Sequence, residues 1–481
     1  MICYNHIYSM KGYFTDIMES DNYTKSRRTS AILVGISTAF ITTFAGSALN
    51  LAIPDMGIYF HMGASSVGWV ITSYTLVVAA MSVPFGKLAD STGRSRILII
   101  GIAVFGMSSL AAVFVPTSES ILFMRVIQAV GASMIFATNM PIAISSFPGS
   151  QRGKAIGLVT SGTYSGLALG PVLGGILNNH FGWKSIFIFG TIVSLFAFFV
   201  TVKWLDRTTN SYGKKLYDIR GNVLYVFMIS SIIYGLTSLN STNFGWLFII
   251  LGLALGFFFV KNELKSENPV IDVRIFSINR IYTLSNITAL FNYSATFALG
   301  YMVSIYLQVV LGFSSQTAGF ILISQPFFMA VLSPAMGRIS DRIAPYKLAS
   351  AGMGLCALSL LFFAFISENT SVWAIAAALS TAGIGISLFS SPNTNVIMAC
   401  VPPAKFSVAN SILATMRTTG QSAGMAVITL VVSGTLGNIS LYDIASDELI
   451  RTMHIAFIIF TVLCVAGIFM SLQRKRTDKG S

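Results

Sequence analysis

Residues 86–96 read Gly-Lys-Leu-Ala-Asp-Ser-Thr-Gly-Arg-Ser-Arg, a charged turn with two glycines that lies between two long apolar runs. A shorter version, Gly-Arg-Ile-Ser-Asp-Arg at residues 337–342, lies between two other apolar runs, and its Asp341 follows Asp90 by 251 positions. The same offset places the second copy of the first apolar run at Tyr282, where an apolar run does begin. Two copies of one loop therefore predict two copies of one helical bundle.

The composition is that of a membrane protein. Of the 481 residues, 54% are hydrophobic and 10% are charged, whereas a soluble domain carries about 25% charged residues. A membrane-spanning helix needs roughly 20 mostly apolar residues, and the sequence has fourteen such runs, all too long for barrel strands. We therefore expect an all-α integral membrane protein. The predicted spans are 31–53, 68–86, 97–116, 120–145, 154–177, 183–203, 221–240, 245–262, 282–310, 317–337, 347–366, 372–398, 406–432 and 453–472.

The distribution of basic residues predicts the topology. Of 30 Lys and Arg residues, 26 fall in the even-numbered links and the two tails, Lys184 and Arg451 fall in odd-numbered links, and Arg125 and Arg417 fall inside spans. Basic residues concentrate in cytoplasmic loops, so both termini are expected in the cytoplasm of a multi-pass plasma-membrane protein. This topology explains the net charge of +13 better than nucleic-acid binding does.

Two long charged connections divide the chain. They flank the seventh and eighth spans, which read as a helix pair inserted between two bundles of six. The predicted parts are a cytoplasmic tail at 1–30, an N-terminal six-helix bundle at 31–204, a linker with the inserted pair at 205–281, a C-terminal six-helix bundle at 282–472 and a tail at 473–481.

The repeated loop suggests a gate. Its glycine lets two helices approach, its aspartate can accept backbone N–H groups at the end of a facing helix, and its basic residues hold the turn at the cytoplasmic surface. An ordinary basic turn is the alternative for one copy, but the recurrence in both halves favours a gate. The predicted gate residues are Gly86, Asp90, Gly93, Arg94, Gly337, Asp341 and Arg342.

Residues 86–96 resemble the signature loop between the second and third helices of the major facilitator superfamily. This resemblance implies the major facilitator fold, in which the loop helps to lock and release the cytoplasmic gate. The second copy departs from the pattern because Ala344 stands where a glycine is usual.

Further stretches resemble the fourteen-span drug:proton antiporters of the superfamily. Residues 125–132 resemble an arginine-plus-glycine motif of the superfamily, and residues 166–175 resemble its antiporter motif. Further sequence motifs of this antiporter family are resembled at residues 268–276 and 416–424. The antiporter-motif residues are Gly166, Gly170, Pro171, Gly174 and Gly175, small residues with a proline that let helices pack closely and bend. Ala45 departs from the family, because an aspartate usually occupies its position.

Arg125 lies well inside the fourth span, where a guanidinium group costs a few kcal/mol unless it faces a cavity or a partner. A structural role, with bonds to helix carbonyls, is the alternative. Polar groups near the middle of other spans could line a central site between the halves. The predicted substrate or coupling residues are Arg125, Gln128, Asn50, Asn292, Gln325 and Arg417.

None of the seventeen acidic residues falls in the middle of a predicted span. A proton-coupled exporter of cations normally needs a buried carboxylate that binds either the cation or a proton. Asp55, at the outer end of the first span, is the nearest candidate, but a surface position explains it better. The predicted cavity is therefore positive and suits a small lipophilic substrate that is neutral or anionic.

The sequence has no phosphate-binding loop, and its four His and four Cys residues show no metal-ligand spacing. We expect no enzyme, no cofactor and no metal, but a monomeric secondary transporter that exports lipophilic drugs or toxic compounds, with protons as the expected coupling ion. One alternative is an exporter or uniporter of a specific metabolite without proton coupling. The other is a non-transporting membrane receptor or scaffold.

Overall fold

The computed structural model describes residues 25–62, 69–205, 218–239, 244–436 and 446–477, and these residues contain fourteen long helices. The fourteen are α1 Lys25–Ser47, α2 Trp69–Thr92, α3 Arg94–Ala112, α4 Ser118–Ser145, α5 Arg152–Phe181, α6 Lys184–Trp204, α7 Ile219–Thr237, α8 Gly245–Lys265, α9 Arg280–Ile305, α10 Ser324–Ser340, α11 Pro345–Phe363, α12 Val372–Ala399, α13 Phe406–Leu436 and α14 Ser446–Thr477. Short helical segments connect them at Ala48–Leu51, Ile53–Tyr59, Gly149–Gln151, Arg274–Ile278, Tyr306–Val310, Ser315–Leu322 and Pro403–Lys405.

In the described part of the chain, 13 helices are long and apolar enough to cross a membrane. The remaining long helix is α13, on which the thirteenth predicted span lies; it has 31 residues and carries Arg417 and Gln421 among its apolar residues. These polar groups lower its mean hydropathy. The all-helical membrane fold expected from the composition is confirmed.

The two halves repeat in their helix interiors as well as in their loops. Pro84 in α2 and Pro141 in α4 recur as Pro334 in α10 and Pro392 in α12, at offsets of 250 and 251 positions. A proline inside a helix removes one backbone hydrogen bond and bends the axis. The bends therefore fall at matching places in the two bundles, α1–α6 and α9–α14.

Each bundle has an apolar core, and a further core lies between the two. In the N-terminal bundle, Phe105 and Ile135 are fully buried, and in the C-terminal bundle Phe363 and Phe457 are fully buried. The shared core includes Ala143 of α4 together with residues of α9, α12 and α13. The halves consequently pack against each other over part of their length.

The inserted helices α7 and α8 pack on each other, and α7 also contacts α2 and α13, one helix from each half. α8 has fewer partners, and large apolar side chains such as Leu253, Phe257 and Phe258 are more than half exposed. Apolar side chains on the outside of a membrane helix face lipid chains. The pair therefore lies at the lipid-facing edge of the seam between the halves.

Candidate functional site

Asp90 joins the two halves on the side that carries both repeated loops, which we call the basic side. Its carboxylate accepts the backbone N–H groups of Ser407 at 3.3 Å and Val408 at 3.2 Å, in the first turn of α13. The first N–H groups of a helix have no partner within the helix, and they carry partial positive charge. A buried carboxylate from one half thus caps a helix of the other half.

Arg94 fixes the Asp90 carboxylate from the other side. Its guanidinium group forms an ion pair with Asp90 at 2.8 Å, and both side chains are only 8% exposed. The same group donates to Ser145 Oγ at 2.9 Å within its own half, and to Ser407 Oγ at 3.0 Å and the Pro403 carbonyl in the other half. Gly93, which separates α2 from α3, has a φ of 111°, a conformation that glycine adopts without strain.

Asp341 makes the matching contact in the opposite direction. It accepts the N–H groups of Gly153 at 2.7 Å and Lys154 at 3.0 Å, in the first turn of α5. Burial raises the pKa of the Asp341 carboxyl above its ordinary value, although the two N–H donors oppose this rise. Arg342 is exposed and does not repeat the ion pair of Arg94 in the described residues. Ala344 takes a φ of −50°, so this turn has no need of glycine.

The loop glycines mark the points where helices from the two halves cross. A Cβ atom on Gly86 would lie 2.9 Å from the Ser407 carbonyl oxygen, and a Cβ atom on Gly337 would overlap with the backbone of Gly153 and Gly157. Real Cβ atoms do not approach other atoms this closely, so neither position accommodates a side chain in this arrangement. The residues that the two aspartates bind also correspond between the halves. Ser407 and Val408, which Asp90 binds, follow Gly153 and Lys154, which Asp341 binds, by 254 positions.

A central pocket with a cavity volume of about 50 Å³ lies between the halves. This volume is smaller than the roughly 300–1,000 Å³ of typical small-molecule sites, so the pocket has to widen to hold a substrate. It is lined by α4 and α5 of the first half and by α9, α12 and α13 of the second. None of the described residues in its lining is acidic. Its polar lining residues include Arg417, Asn139, Asn410, Tyr164, Tyr293 and Ser390.

Arg417 supplies the positive charge of this pocket. Its guanidinium carbon lies 5.5 Å from the ring centroid of Phe136, and the side chain is half-buried. In the part of the chain that the structure describes, Arg417 has no hydrogen bond and no ion pair. Next to it, the Asn410 amide donates to the Phe136 carbonyl at 2.6 Å, which ties α13 to α4.

Two tyrosines from opposite halves line the same pocket. Tyr164 of α5 and Tyr293 of α9 are both buried, and the Tyr293 hydroxyl lies 3.2 Å from Ser390 Oγ of α12. Hydroxyl groups both donate and accept hydrogen bonds. The pocket therefore offers donors, acceptors, aromatic faces and one cation, but no anion among its described lining residues.

Arg125 has different surroundings from Arg417. It is fully buried within the N-terminal bundle, where it donates to the Val70 carbonyl at 2.9 Å and to Gln128, and its guanidinium carbon lies 4.4 Å from the Tyr74 ring centroid. Gln128 in turn donates to Ser109 at 2.6 Å. Neither Arg125 nor Gln128 lines the central pocket, and these contacts agree with the structural alternative for Arg125.

Asn292 and Gln325 are also away from the described pocket lining. Asn292 is buried and its amide lies 3.8 Å from Cys356 Sγ, whereas Gln325 is half-buried on α10. Asn50 lies in the segment Ala48–Leu51, and its side chain is outside the described part of the chain. The structure thus brings one of the six predicted residues, Arg417, to the pocket, and a substrate role for the others stays a prediction.

The antiporter-motif glycines pack α5 against α1 inside the N-terminal bundle. A Cβ atom on Gly170 would lie 3.0 Å from Ser47 Cβ, and one on Gly174 would lie 2.6 Å from the Ala48 carbonyl oxygen. Gly166 meets α1 in the same way, and its carbonyl accepts from Ser47 Oγ at 3.1 Å. Pro171 lies inside α5, and Gly175 follows Gly174 on the same helix.

Sequence reasoning does not single out Asn410 and Ser390 as site residues. A usable signal exists for Asn410, because Asn410, Ala414 and Arg417 are spaced i, i+4, i+7 and therefore share one face of α13. No comparable signal marks Ser390, because serine is common in packed membrane helices. Its position in the pocket follows only from the packing of α12 against α5 and α9.

Comparison with known proteins gives three consistent results. The sequence model described as Major Facilitator Superfamily matches residues 35–260 and 286–481. The riboflavin transporter RibZ of Clostridioides difficile (strain 630) is 30% identical over 93% of this chain and 97% of the relative. The multidrug resistance protein Stp of Mycobacterium tuberculosis is 28% identical over 81% of this chain and 73% of the relative.

A solved structure supports the same fold. The crystal structure of the human organic anion transporter MFSD10 (TETRAN) matches with a TM-score of 0.64 and covers 92% of this chain and 100% of that chain. The sequence identity is 15%, so this likeness concerns the fold alone.

Proposed function

This chain belongs to the Major Facilitator Superfamily, and from that premise we propose that it exports small lipophilic compounds across the plasma membrane by alternating access. It works as a monomeric secondary transporter with both termini in the cytoplasm. The observation that carries the proposal is the pair of reciprocal aspartate caps, Asp90 on α13 and Asp341 on α5. They close the basic side, which we assign to the cytoplasm because of the charge pattern.

The reciprocal caps form the cytoplasmic gate. Opening to the cytoplasm separates both helix starts from their carboxylates, and exposure to water then replaces the lost bonds. Because the halves are related by repeat, one rocking movement breaks both contacts together. The central pocket lies between the halves and changes its access when the gate opens.

The chemistry of the pocket favours neutral or anionic substrates with an aromatic part. Arg417 can pair with an acceptor or an anionic group, Phe136 and the two tyrosines can pack against a ring, and the hydroxyl and amide groups can bind polar substituents. Relatives of this chain are named for multidrug resistance and for riboflavin transport. Drug export is the function we propose for this chain.

Protons are the proposed coupling ion, because residues 166–175 carry the antiporter pattern. The direct test is efflux from proteoliposomes with a fluorescent anionic dye and a cationic dye, each with an imposed pH gradient and with the gradient collapsed. Gradient-dependent efflux of the anionic dye is expected. Equal rates with and without the gradient would remove proton coupling.

A second candidate function is the transport of one specific metabolite without proton coupling. The observation that favours it is the match to a riboflavin transporter at 30% identity over nearly the whole of both chains. Competition separates the two: a specific carrier is inhibited by one compound and its analogues, whereas a drug exporter is inhibited by many unrelated compounds. The absence of flux for every compound would favour the third possibility, a receptor or scaffold.

A further inference from the structure

Residues 266–273, which we call the strap, cross the seam between the halves on the basic side. They follow α8 and overlap the motif at residues 268–276, which the proposed transport cycle does not use. Lys87 of the first repeated loop donates to the Pro269 carbonyl at 2.6 Å. Lys405, just before α13, pairs with Asp272 at 3.3 Å. The strap therefore holds one group from each half of the proposed gate.

The strap is also fastened by apolar packing. Val270 and Ile271 are 2% and 7% exposed, and they lie in one cluster with Val83 of α2 and with Val408 and Ile412 of α13. Val408 is one of the two residues whose N–H group Asp90 binds. Separation of α2 from α13 would therefore expose strap side chains as well as break the cap.

The inserted helix α7 adds a hydrogen-bonded link along the same seam. The hydroxyl groups of Tyr225 and Thr415 lie 2.8 Å apart, and Thr415 of α13 donates to the Ala79 carbonyl of α2 at 3.3 Å. The inserted pair thus contacts both halves at two depths, through α7 and through the strap.

One carboxyl group, that of Glu263, anchors the strap to α8, and a second, that of Asp218, lies beside it. Glu263, near the end of α8, is 2% exposed, and its Oε2 accepts the N–H group of Ile271 at 2.9 Å. Its Oε1 is buried and has no hydrogen-bond partner in the described residues. Asp218, which caps α7 through the Gly221 N–H at 2.9 Å, places its Oδ2 beside the same glycine. Glu263 Oε1 and Asp218 Oδ2 both lie against the position that a Cβ atom on Gly221 would take, so the two oxygens are about 5 Å apart or less, a range in which two carboxylates repel each other. Asp218 Oδ2 also accepts from the Asn262 amide at 3.3 Å.

The charged groups around this pair do not neutralise it. Lys87 and Lys405 bind the strap as described, and Arg274 donates to the Leu264 carbonyl at 2.8 Å. The remaining charged residues of the surrounding elements are exposed to solvent, namely Arg220, Lys261, Lys265 and Glu267. Within the described residues, Glu263 has an acidic neighbour but no basic partner.

We propose that the buried Glu263 carboxyl binds a proton on its Oε1, facing Asp218, and that this proton fastens the strap across the closed gate. With the proton on Glu263 Oε1, that oxygen becomes a donor toward Asp218 Oδ2 and the buried oxygen gains a partner. When the proton leaves to water, the buried Glu263 carboxylate and the half-buried Asp218 carboxylate repel each other, and Glu263 moves out together with the acceptor for Ile271. Acidic conditions therefore favour the closed gate, and alkaline conditions loosen it.

This inference rests on the proposed gate but not on the substrate, so the test uses the full chain in lipid nanodiscs without any substrate. Amide hydrogen exchange is measured by mass spectrometry for the strap and for the first turn of α13. Wild type and E263Q are compared in mildly acidic and in mildly alkaline buffer. The intrinsic rate of amide exchange depends on pH, so wild type and variant are always compared at the same pH, where this rate is equal for both. E267Q, an exposed strap carboxylate, is the matched control.

In alkaline buffer, we expect both segments of the wild type to exchange faster than those of E263Q by about fivefold or more, the lower end of typical coupling between two sites. A glutamine amide donates to Asp218 without a proton, so E263Q stays closed. In acidic buffer the two proteins should agree, and E267Q should follow the wild type throughout.

Equal exchange of wild type and E263Q in alkaline buffer would overturn the proton site. If, in alkaline buffer, the strap of the wild type exchanges faster than that of E263Q but the first turn of α13 does not, the proposal that the strap stabilises the closed gate is overturned. If E263Q does not fold, D218N carries the same test, because asparagine retains the helix cap but removes the repulsion. A failure of drug efflux would leave these exchange results unaffected.

Discussion

Arg125 and Arg417 are both guanidinium groups within long apolar helices, but the structure gives them different partners. Arg125 is fully buried among Val70, Gln128 and Tyr74, whereas Arg417 faces the central pocket without a hydrogen-bonding partner in the described residues. Arg125 bonds only within its own bundle, and its Nη2 has no hydrogen-bond partner in the described residues, whereas a cation that faces a pocket can bind a ligand. We therefore propose different roles for the two arginines.

Substitutions at these two positions should separate stability from transport. Arg417→Gln should raise the KM for anionic dyes by about tenfold or more while leaving the Tm unchanged, because a charge-assisted contact to the substrate is lost. Arg125→Ala should lower the Tm, because each buried group left without a partner costs about 1–3 kcal/mol. Thermal unfolding in detergent and dye efflux measure the two effects. An unchanged KM in the Arg417 variant would move the substrate site elsewhere.

Asp90 is the residue on which the proposed cytoplasmic gate most depends. Asp90→Asn should slow efflux by about tenfold, because the variant loses the ion pair to Arg94 and the charge that favours the start of α13. Efflux is measured in proteoliposomes with equal amounts of protein. Glu119→Gln, which changes an exposed carboxylate at the opposite ends of the helices, should transport at the wild-type rate. Wild-type efflux by the Asp90 variant would contradict the proposed gate.

At the scale of elements, α5 has two faces that serve different contacts. Near its start, Gly153 and Gly157 meet α10 of the other half, and farther along Gly170 and Gly174 meet α1 of the same half. Small residues allow backbones to approach in lipid, where close packing replaces the hydrophobic effect between helices. One helix thereby joins a fixed contact within a bundle to a contact that has to break during transport.

This division predicts the effect of added methyl groups. Gly170→Ala should lower the stability by about 1–3 kcal/mol, because the new Cβ overlaps with Ser47 and packed membrane helices do not adjust freely. Gly300→Ala in α9 is the matched control, because a Cβ atom there meets no atom within 4 Å. The measurement is the Tm of both variants in the same detergent. Equal Tm values would show that the α1–α5 contact is looser than the structure indicates.

At the scale of the whole molecule, the two halves are tied by reciprocal contacts. α2 of the first half meets α13 of the second, and α10 of the second half meets α5 of the first. The matching offsets of the caps, the prolines and the loops follow from one repeated arrangement. A duplicated bundle of this kind can rock about a central site without unfolding either half.

The charge pattern predicts the orientation of the molecule in the membrane. A green fluorescent protein fused after residue 477 should fluoresce, and alkaline phosphatase fused there should be inactive, because basic residues mark the cytoplasmic side. Fusions after residue 239, in the link between α7 and α8, should give the opposite pattern. Active phosphatase at residue 477 would reverse the orientation and, with it, the side to which we assign the gate.

The repeated loops, the helical membrane fold and the family resemblance were all accessible from the sequence, because they depend on local composition and on the spacing of apolar residues. The residues of the pocket were less accessible. Arg125, Gln128, Asn292 and Gln325 lie away from its described lining, since polarity inside a span marks both packing contacts and binding sites. Arg125 shows this ambiguity, because a guanidinium group that bonds within one bundle and one that binds a ligand look the same in sequence.

The sequence by itself determined how many apolar helices the chain forms, that they duplicate, and which loops carry the paired aspartates. Only the tertiary structure decided which helix start each aspartate caps, which arginine faces the pocket, and that Glu263 and Asp218 lie together under the strap. The physical reason is distance along the chain. Helix formation depends on neighbours a few residues apart, whereas Asp90 and Val408, or Glu263 and Asp218, meet only after the helices have packed.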